Sequence, residues 1–231
     1  MGSSECRLYP LGERALVLEA EPEAGFVGQR RIWWLAERLR QQEGNGQASA
    51  EPALALEEIV PGMNNLTLVF DPEVTSLARL DRRLTELWRQ GEELDFAPRE
   101  REIPVHYGSE GGPDLDEAAR CCGLTPAELV ARHSGGDYRV YFLGFQPGFA
   151  YLGGLEQALA VPRRREPRLR VPAGSVGIGG AQTGIYPAAS PGGWQLIGRT
   201  DLVLFDPNRD EPSYLLPGDR VRFIPVGGSP C

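Results

Sequence analysis

The chain contains no lysine, so all 24 of its basic residues are arginine. That absence excludes a P-loop lysine, a Schiff-base lysine for pyridoxal phosphate and a lysine bearing biotin or lipoate. No covalent cofactor is therefore expected on this chain. Histidine is nearly as scarce, with only His106 and His133 present, which argues against a His-rich zinc site. The four cysteines are Cys6, the adjacent pair Cys121 and Cys122, and Cys231. They lack metal-ligand spacing and read as free thiols in a reducing compartment, and no metal is expected. No apolar run approaches the roughly 18 residues of a spanning helix, and the opening MGSSECRLYP has no apolar signal core. No membrane association is expected, and the cytoplasm is the expected location. A net charge of −8 lacks the basic face on which nucleic-acid binding relies. The run Arg163, Arg164, Arg165, Arg168 and Arg170 is a local exception that either meets an anion or is a solvated loop.

What remains is an ordinary globular composition over 231 residues, enough for one large or two small domains. Residues 7–19 hold a short apolar alternation suited to a strand, with Gly12 marking a turn before it. A helix is expected over about 28–42, with Ile32, Leu35, Ala36 and Leu39 on one stripe. GNGQASAEP, residues 44–52, reads as a linker. Strands at Leu54–Val60 and Asn65–Phe70 flank the turn Pro61-Gly62-Met63-Asn64. A second helix follows over about 76–90, with Leu77, Leu80, Leu84, Leu87 and Trp88 on its buried face. With Ile103-Pro104-Val105 as a closing strand, these elements suggest a small α+β domain over residues 1–98.

The second domain, residues 99–231, opens with a short helix from Gly112-Pro113-Asp114 to about Cys122. Thr125-Pro126-Ala127-Glu128 combines an N-cap, a proline at the first helical position and a capping box. The helix it starts ends near His133, which reads as a surface residue satisfying the helix dipole. Beyond it, short strands at Tyr138–Leu143, Val176–Ile178, Trp194–Ile197, Leu202–Phe205 and Val221–Ile224 alternate with tight turns. That pattern makes the second domain mainly β, a closed barrel or a sandwich.

Twelve of the 29 glycines fall in residues 138–200, beside aromatics and lone polar residues. They mark either a backbone brought close to a ligand or barrel turns with no ligand. Ala173-Gly174-Ser175-Val176-Gly177 approaches a nucleophile elbow, but no helix can start after it and both histidines precede it. A backbone anion nest at Gly174, Ser175 and Gly177 is the better reading. Gln182, Thr183, Tyr186 and Ser190 offer neutral donors and acceptors, and Phe145, Phe149 and Trp194 could wall a pocket. Arg170 and Arg199 could hold a phosphate or carboxylate. This mix suits recognition of a small amide or carboxylate better than acid–base catalysis, and no catalytic residue is assigned. The alternative is that Tyr186 and Trp194 are half-buried barrel residues.

The segments YFLGFQPGFAYLGGL, PRRREPRLRVPAGSVGIGGAQTGIYP, SPGGWQLIGRT and LFDPNRDEPSYLLPGDRVRF resemble the 5-oxoprolinase B subunit family. With IPVHYGSEGGPDLDEAARCCGL the resemblance runs from about Ile103 to Pro225, and it is looser through LGERALVLE and EEIVPGMNNLTLVFD. The family is also called allophanate hydrolase subunit 1 and includes the sporulation histidine-kinase inhibitor. The resemblance implies a cyclophilin-like barrel after the small α+β domain. It implies an enzyme that acts with A and C subunits, hydrolysing 5-oxoproline to glutamate at the expense of ATP used by the complex. It also implies two alternatives, a regulator docking on a histidine kinase and half of a biotin-dependent, urea-type carboxyltransferase. The family often has cysteine where this chain has His106, so no catalytic role is given to His106.

Overall fold

The computed structural model describes residues 6–21, 25–44, 53–94 and 98–227. Cys231 and all but the first residue of the expected linker lie outside them. The chain divides into two compact units, Met1–Phe96 and Ala97–Cys231.

The first unit is a four-stranded antiparallel sheet backed by two helices. Strands β1 (Cys6–Pro10), β2 (Ala15–Ala20), β3 (Leu56–Pro61) and β4 (Asn65–Phe70) take the order β1-β2-β4-β3. The strand expected after the Gly12 turn is β2, and it pairs with β1 in a hairpin closed by Leu11 N–H donating to Ala15 O at 2.9 Å. Leu66, Leu68 and Phe70 of β4 are buried on one face of the sheet, as a period of two dictates. Helix α1 (Gly25–Gly44) and helix α2 (Leu77–Arg89) complete the core with Ile32, Leu35 and Leu39, and with Leu80, Leu84 and Leu87. Ser76 caps α2 by accepting from Arg79 N–H. Leu77, expected on the buried stripe, is 36% exposed because it sits in the first turn, beyond the edge of the core.

The second unit holds a closed barrel built from β5 (Glu100–Tyr107), β6 (Tyr138–Leu143), β7 (Ala150–Gly153), β9 (Ser175–Gly179), β10 (Gln182–Ile185), β12 (Gln195–Arg199) and β13 (Arg220–Pro225). These seven strands follow the order β10-β7-β6-β13-β5-β12-β9 around it. Strand β8 (Arg168–Val171) pairs with β11 (Ser190–Gly192) in a separate ribbon. Ile103 and Val105, expected to close the first domain, lie on β5 in the barrel, where β5 runs parallel to β13. The expected strand at 202–205 is reduced to a single bridge between Phe205 and Ser213. Helix α3 (Leu115–Cys121) and helix α4 (Pro126–Gly135) lie between β5 and β6 in the chain, and the capping box at Thr125 and Glu128 forms as expected.

His133 is not a surface residue. It is fully buried in the barrel core, 4.6 Å from the Phe223 ring centre to centre. Thr183 Oγ1 donates to Gly177 O at 3.0 Å, so it accepts from His133 Nε2, 2.8 Å away. Nδ1 is left to accept from the Tyr107 hydroxyl, also at 2.8 Å. The network thereby assigns a neutral imidazole in one tautomer. The helix carries His133 inward because its apolar positions Leu129 and Val130 face the same core.

Burial lowers the His133 pKa from 6.5 to about 3. The unfolded chain therefore binds this proton first, and the stability contribution is complete above pH 6.5 and lost as pH falls toward 3. The expected loss is about 1.4 kcal/mol per pH unit across that window. Urea unfolding at pH 7, 5.5 and 4.5 should show a steeper acid loss in the native protein than in His133→Gln; equal slopes would contradict the assignment.

Candidate functional site

Strand β10 separates two chemistries by its alternation. Thr183 and Ile185 point into the barrel, whereas Gly184 and Tyr186 belong to the outer face, where Phe149, Val171, Tyr186, Trp194 and Leu196 form a second apolar cluster. The glycines of β9 and β10 exist to admit Trp194. A Cβ at Gly179 would stand 2.4 Å from Trp194 Cδ1 and Nε1, and one at Gly177 or Gly184 would crowd the same side chain at 3.3 and 3.2 Å. The indole therefore lies directly on the backbone of the barrel wall, at a separation that side chains would prevent.

Around it a shallow cavity of about 100 Å³ is lined by Phe145, Phe149, Tyr151, Tyr186 and Trp194, with Arg163 and Pro191-Gly192-Gly193 at its rim. Phe149 meets Trp194 edge to face at 5.7 Å and Tyr186 at 5.5 Å, an arrangement that aromatic quadrupoles favour. The Arg163 guanidinium stands 5.9 Å from the Trp194 ring centre, within cation–π range. Burial pushes the Tyr186 phenol above its usual pKa, opposed in part by a backbone hydrogen bond from Trp194. Tyr186 is thus a neutral hydroxyl at working pH.

Phe145 closes one side of the cavity from a strained turn. Its φ is +66°, and Gln146 N–H donates to Gly144 O at 2.7 Å across it, the geometry of a rare γ-turn. The ring is 61% exposed yet stands 5.3 Å from Phe149 and 6.3 Å from Tyr186.

Four of the expected residues, Phe145, Phe149, Tyr186 and Trp194, are brought together here. Ser190 lies next to them on β11, with its Oγ buried and without a hydrogen-bond partner. Gln182 is at the far end of β10, opposite Gly179. Arg170 is exposed on β8 and Arg199 is exposed at the end of β12 opposite Ser175 and His106, and neither lines the cavity. The expected anion nest is not formed, because Gly174 N–H donates to Tyr186 O at 2.7 Å and Ser175 N–H to Pro172 O at 3.3 Å. Gly177 is held in the β9 ladder. Sequence reasoning missed Tyr151 as a lining residue and left Arg163 in a run readable as a solvated loop. The signal for Tyr151 was its place between the inward-facing Ala150 and Leu152.

A family model described as carboxyltransferase domain, subdomain C and D, matches residues 6–215 and gives the class of domain to which the chain belongs. The chain is 52% identical over 226 residues to the 5-oxoprolinase B subunit of Escherichia coli O157:H7, covering 97% of this chain and 98% of that protein. It belongs to the 5-oxoprolinase B subunit family. Among solved structures it resembles TTHA0988 with a TM-score of 0.74 and 40% identity over 93% of this chain, while spanning 40% of that longer chain. The Kluyveromyces lactis urea amidolyase shares the fold, with a TM-score of 0.75 at 22% identity, over 98% of this chain and 15% of that one.

Because the Trp194 ring and a Cβ at position 179 compete for one space, Gly179→Ala should cost about 1–3 kcal/mol of stability. Chemical denaturation measures that loss. Tryptophan emission should shift with it, and an unchanged spectrum and midpoint would refute the contact.

Proposed function

We propose that this chain is the B subunit of an ATP-dependent 5-oxoprolinase that cleaves 5-oxoproline to L-glutamate together with A and C subunits. The aromatic cavity is its share of the substrate site. The observation that carries this reading is the end-to-end likeness to the Escherichia coli protein named as a 5-oxoprolinase B subunit.

The geometry supports a binding role. The five-membered lactam has an apolar edge and a carboxylate, and the cavity offers an aromatic lining that includes Phe149 and Trp194 beside one cation, Arg163. Tyr186 supplies a neutral hydroxyl for the amide. Among the described residues no carboxylate, imidazole or serine lines the cavity, so the base that activates water is assigned to another subunit. ATP is assigned elsewhere too, since about 100 Å³ is well below the roughly 300–1,000 Å³ that buries a drug-sized ligand, and the N–H groups of Gly174 and Ser175 are already used.

A second reading, half of a biotin-dependent carboxyltransferase, is favoured by the carboxyltransferase description of the matching family model. A lysine-free chain suits it equally, because the biotin carrier would be another chain.

Co-expression with the A and C subunits should give ATP-dependent glutamate release from 5-oxoproline that is lost when this chain is omitted. In that complex Arg163→Gln should raise KM for 5-oxoproline about tenfold, the worth of one charged hydrogen bond, with little change in kcat. Full activity without this chain overturns the reading, and carboxyl transfer from carboxybiotin without glutamate release favours the second.

A further inference from the structure

Asp114 is buried, and its place in the sequence marks only the start of a short helix. It occupies the N-cap position of α3 but its side chain makes no cap hydrogen bond. The carboxylate is turned instead toward the barrel wall and the arginine segment. Oδ2 accepts from Leu196 N–H at 2.7 Å, and Asp114 N–H donates back to Leu196 O at 2.9 Å. Oδ1 accepts from Arg164 Nη1 at 3.1 Å and from Arg168 Nη2 at 2.7 Å. Among the described residues Asp114 is the one carboxylate ion-paired with either arginine. Both guanidinium groups keep a buried nitrogen without a partner, Arg164 Nε and Arg168 Nη1. The pairing is therefore undersupplied with negative charge, and loss of Asp114 would leave two partly buried cations uncompensated.

The placement of these contacts gives them a purpose. Leu196 lies two residues beyond Trp194 on the same strand segment, and Arg164 directly follows Arg163. One carboxylate thus grips both sides of the Arg163–Trp194 pair. The rest of the arginine segment is tied to the same wall: Arg164 N–H donates to Gly193 O at 2.7 Å, and Gln195 Nε2 donates to Pro162 O at 3.3 Å. Asp114 is itself fixed from behind, because Gly112 packs so closely on β12 that a Cβ there would stand 2.2 Å from Ile197 O.

We infer that Asp114 is a positioning residue for the substrate site, holding Arg163 over Trp194 at the cavity rim through Arg164, Arg168 and the Leu196 amide. The inference rests on the cavity being the substrate site. Asp114 touches no substrate, and its effect on binding passes through Arg163.

The test is a double-mutant cycle in the assembled complex with the A and C subunits. Asp114→Asn should raise KM for 5-oxoproline about tenfold, as Arg163→Gln does, with kcat within about twofold of the native value. The double variant should be no worse than Arg163→Gln alone, since both remove one contact. The pair Arg164→Gln with Arg168→Gln cuts the same link from the arginine side and should reproduce the KM effect even if Asp114→Asn folds poorly. Amide hydrogen exchange over residues 163–168 should rise in both. Additive KM effects, or unchanged exchange in the arginine segment, overturn the role of Asp114. An unchanged KM in Arg163→Gln instead sinks the cavity as the substrate site, and with it the functional part of this inference.

Discussion

Trp194 rests its indole where a side chain at Gly179 would otherwise stand, with Gly184 close against the ring edge and Gly177 close against the Trp194 Cβ, and the outer face of the barrel is organised by that contact. A side chain at Gly179 would lift the ring from the wall. With the ring flat, Phe149 and Tyr186 can meet it edge to face, and the three make a continuous apolar surface. The same glycines leave the inner face of the barrel unaffected, because Val176 and Ile178 alternate with them along β9 and fill the core. A strand with small residues on one side and branched residues on the other thus builds a packed interior and a recessed exterior from five residues.

The two faces are joined through β10. Thr183 turns inward to His133, and Gly184 and Tyr186 turn outward to the aromatic cluster. Gly177 takes part on both sides: its carbonyl accepts from Thr183 inside the barrel, while its missing side chain admits Trp194 outside. The buried His133 network therefore bears on the wall that supports the cavity. One directional hydrogen bond of that network, Thr183 Oγ1 to Gly177 O, ties β10 to β9, and the other two tie β10 through His133 to α4 and β5, so a low-dielectric core makes the pairing more specific than apolar packing alone.

The sequence made the long elements legible and the short ones obscure, for physical reasons. Helices α2 and α4 declare themselves by Ser76, by Thr125-Pro126 and Glu128, and by leucines at helical spacing. Strands β7, β8, β10 and β11 have three or four residues and contain Gly, Arg, Gln or Ser, so neither alternation nor β-propensity identifies them. The aromatic members of the site were readable as a set because Phe145, Phe149, Tyr186 and Trp194 stand among glycines. Arg170 was not separable from Arg163, since one arginine in a basic run looks like another until the fold aims it, and nothing in Ile197-Gly198-Arg199 shows that Arg199 ends β12 away from the cavity. The inward turn of His133 was equally hidden, because its partners Tyr107 and Thr183 lie 26 and 50 residues away.

The remaining wall of the cavity depends on strain that the surroundings hold in place. A non-glycine residue at φ +66° in a γ-turn costs on the order of 1–3 kcal/mol, and Phe145 recovers little of it by burial. The loop is fixed from both flanks instead. Gly144 N–H donates to Phe149 O, Phe149 N–H donates to Gln146 O, and the Gln146 side chain donates to Ala188 O. Gly148, at φ +80°, fits against Phe205 with no room for a Cβ. Phe145 is thereby presented to the cavity by its backbone rather than drawn there by its side chain. A ring held in that way is available to pack on a bound molecule without first leaving a buried position, so the strain serves preorganisation of the rim.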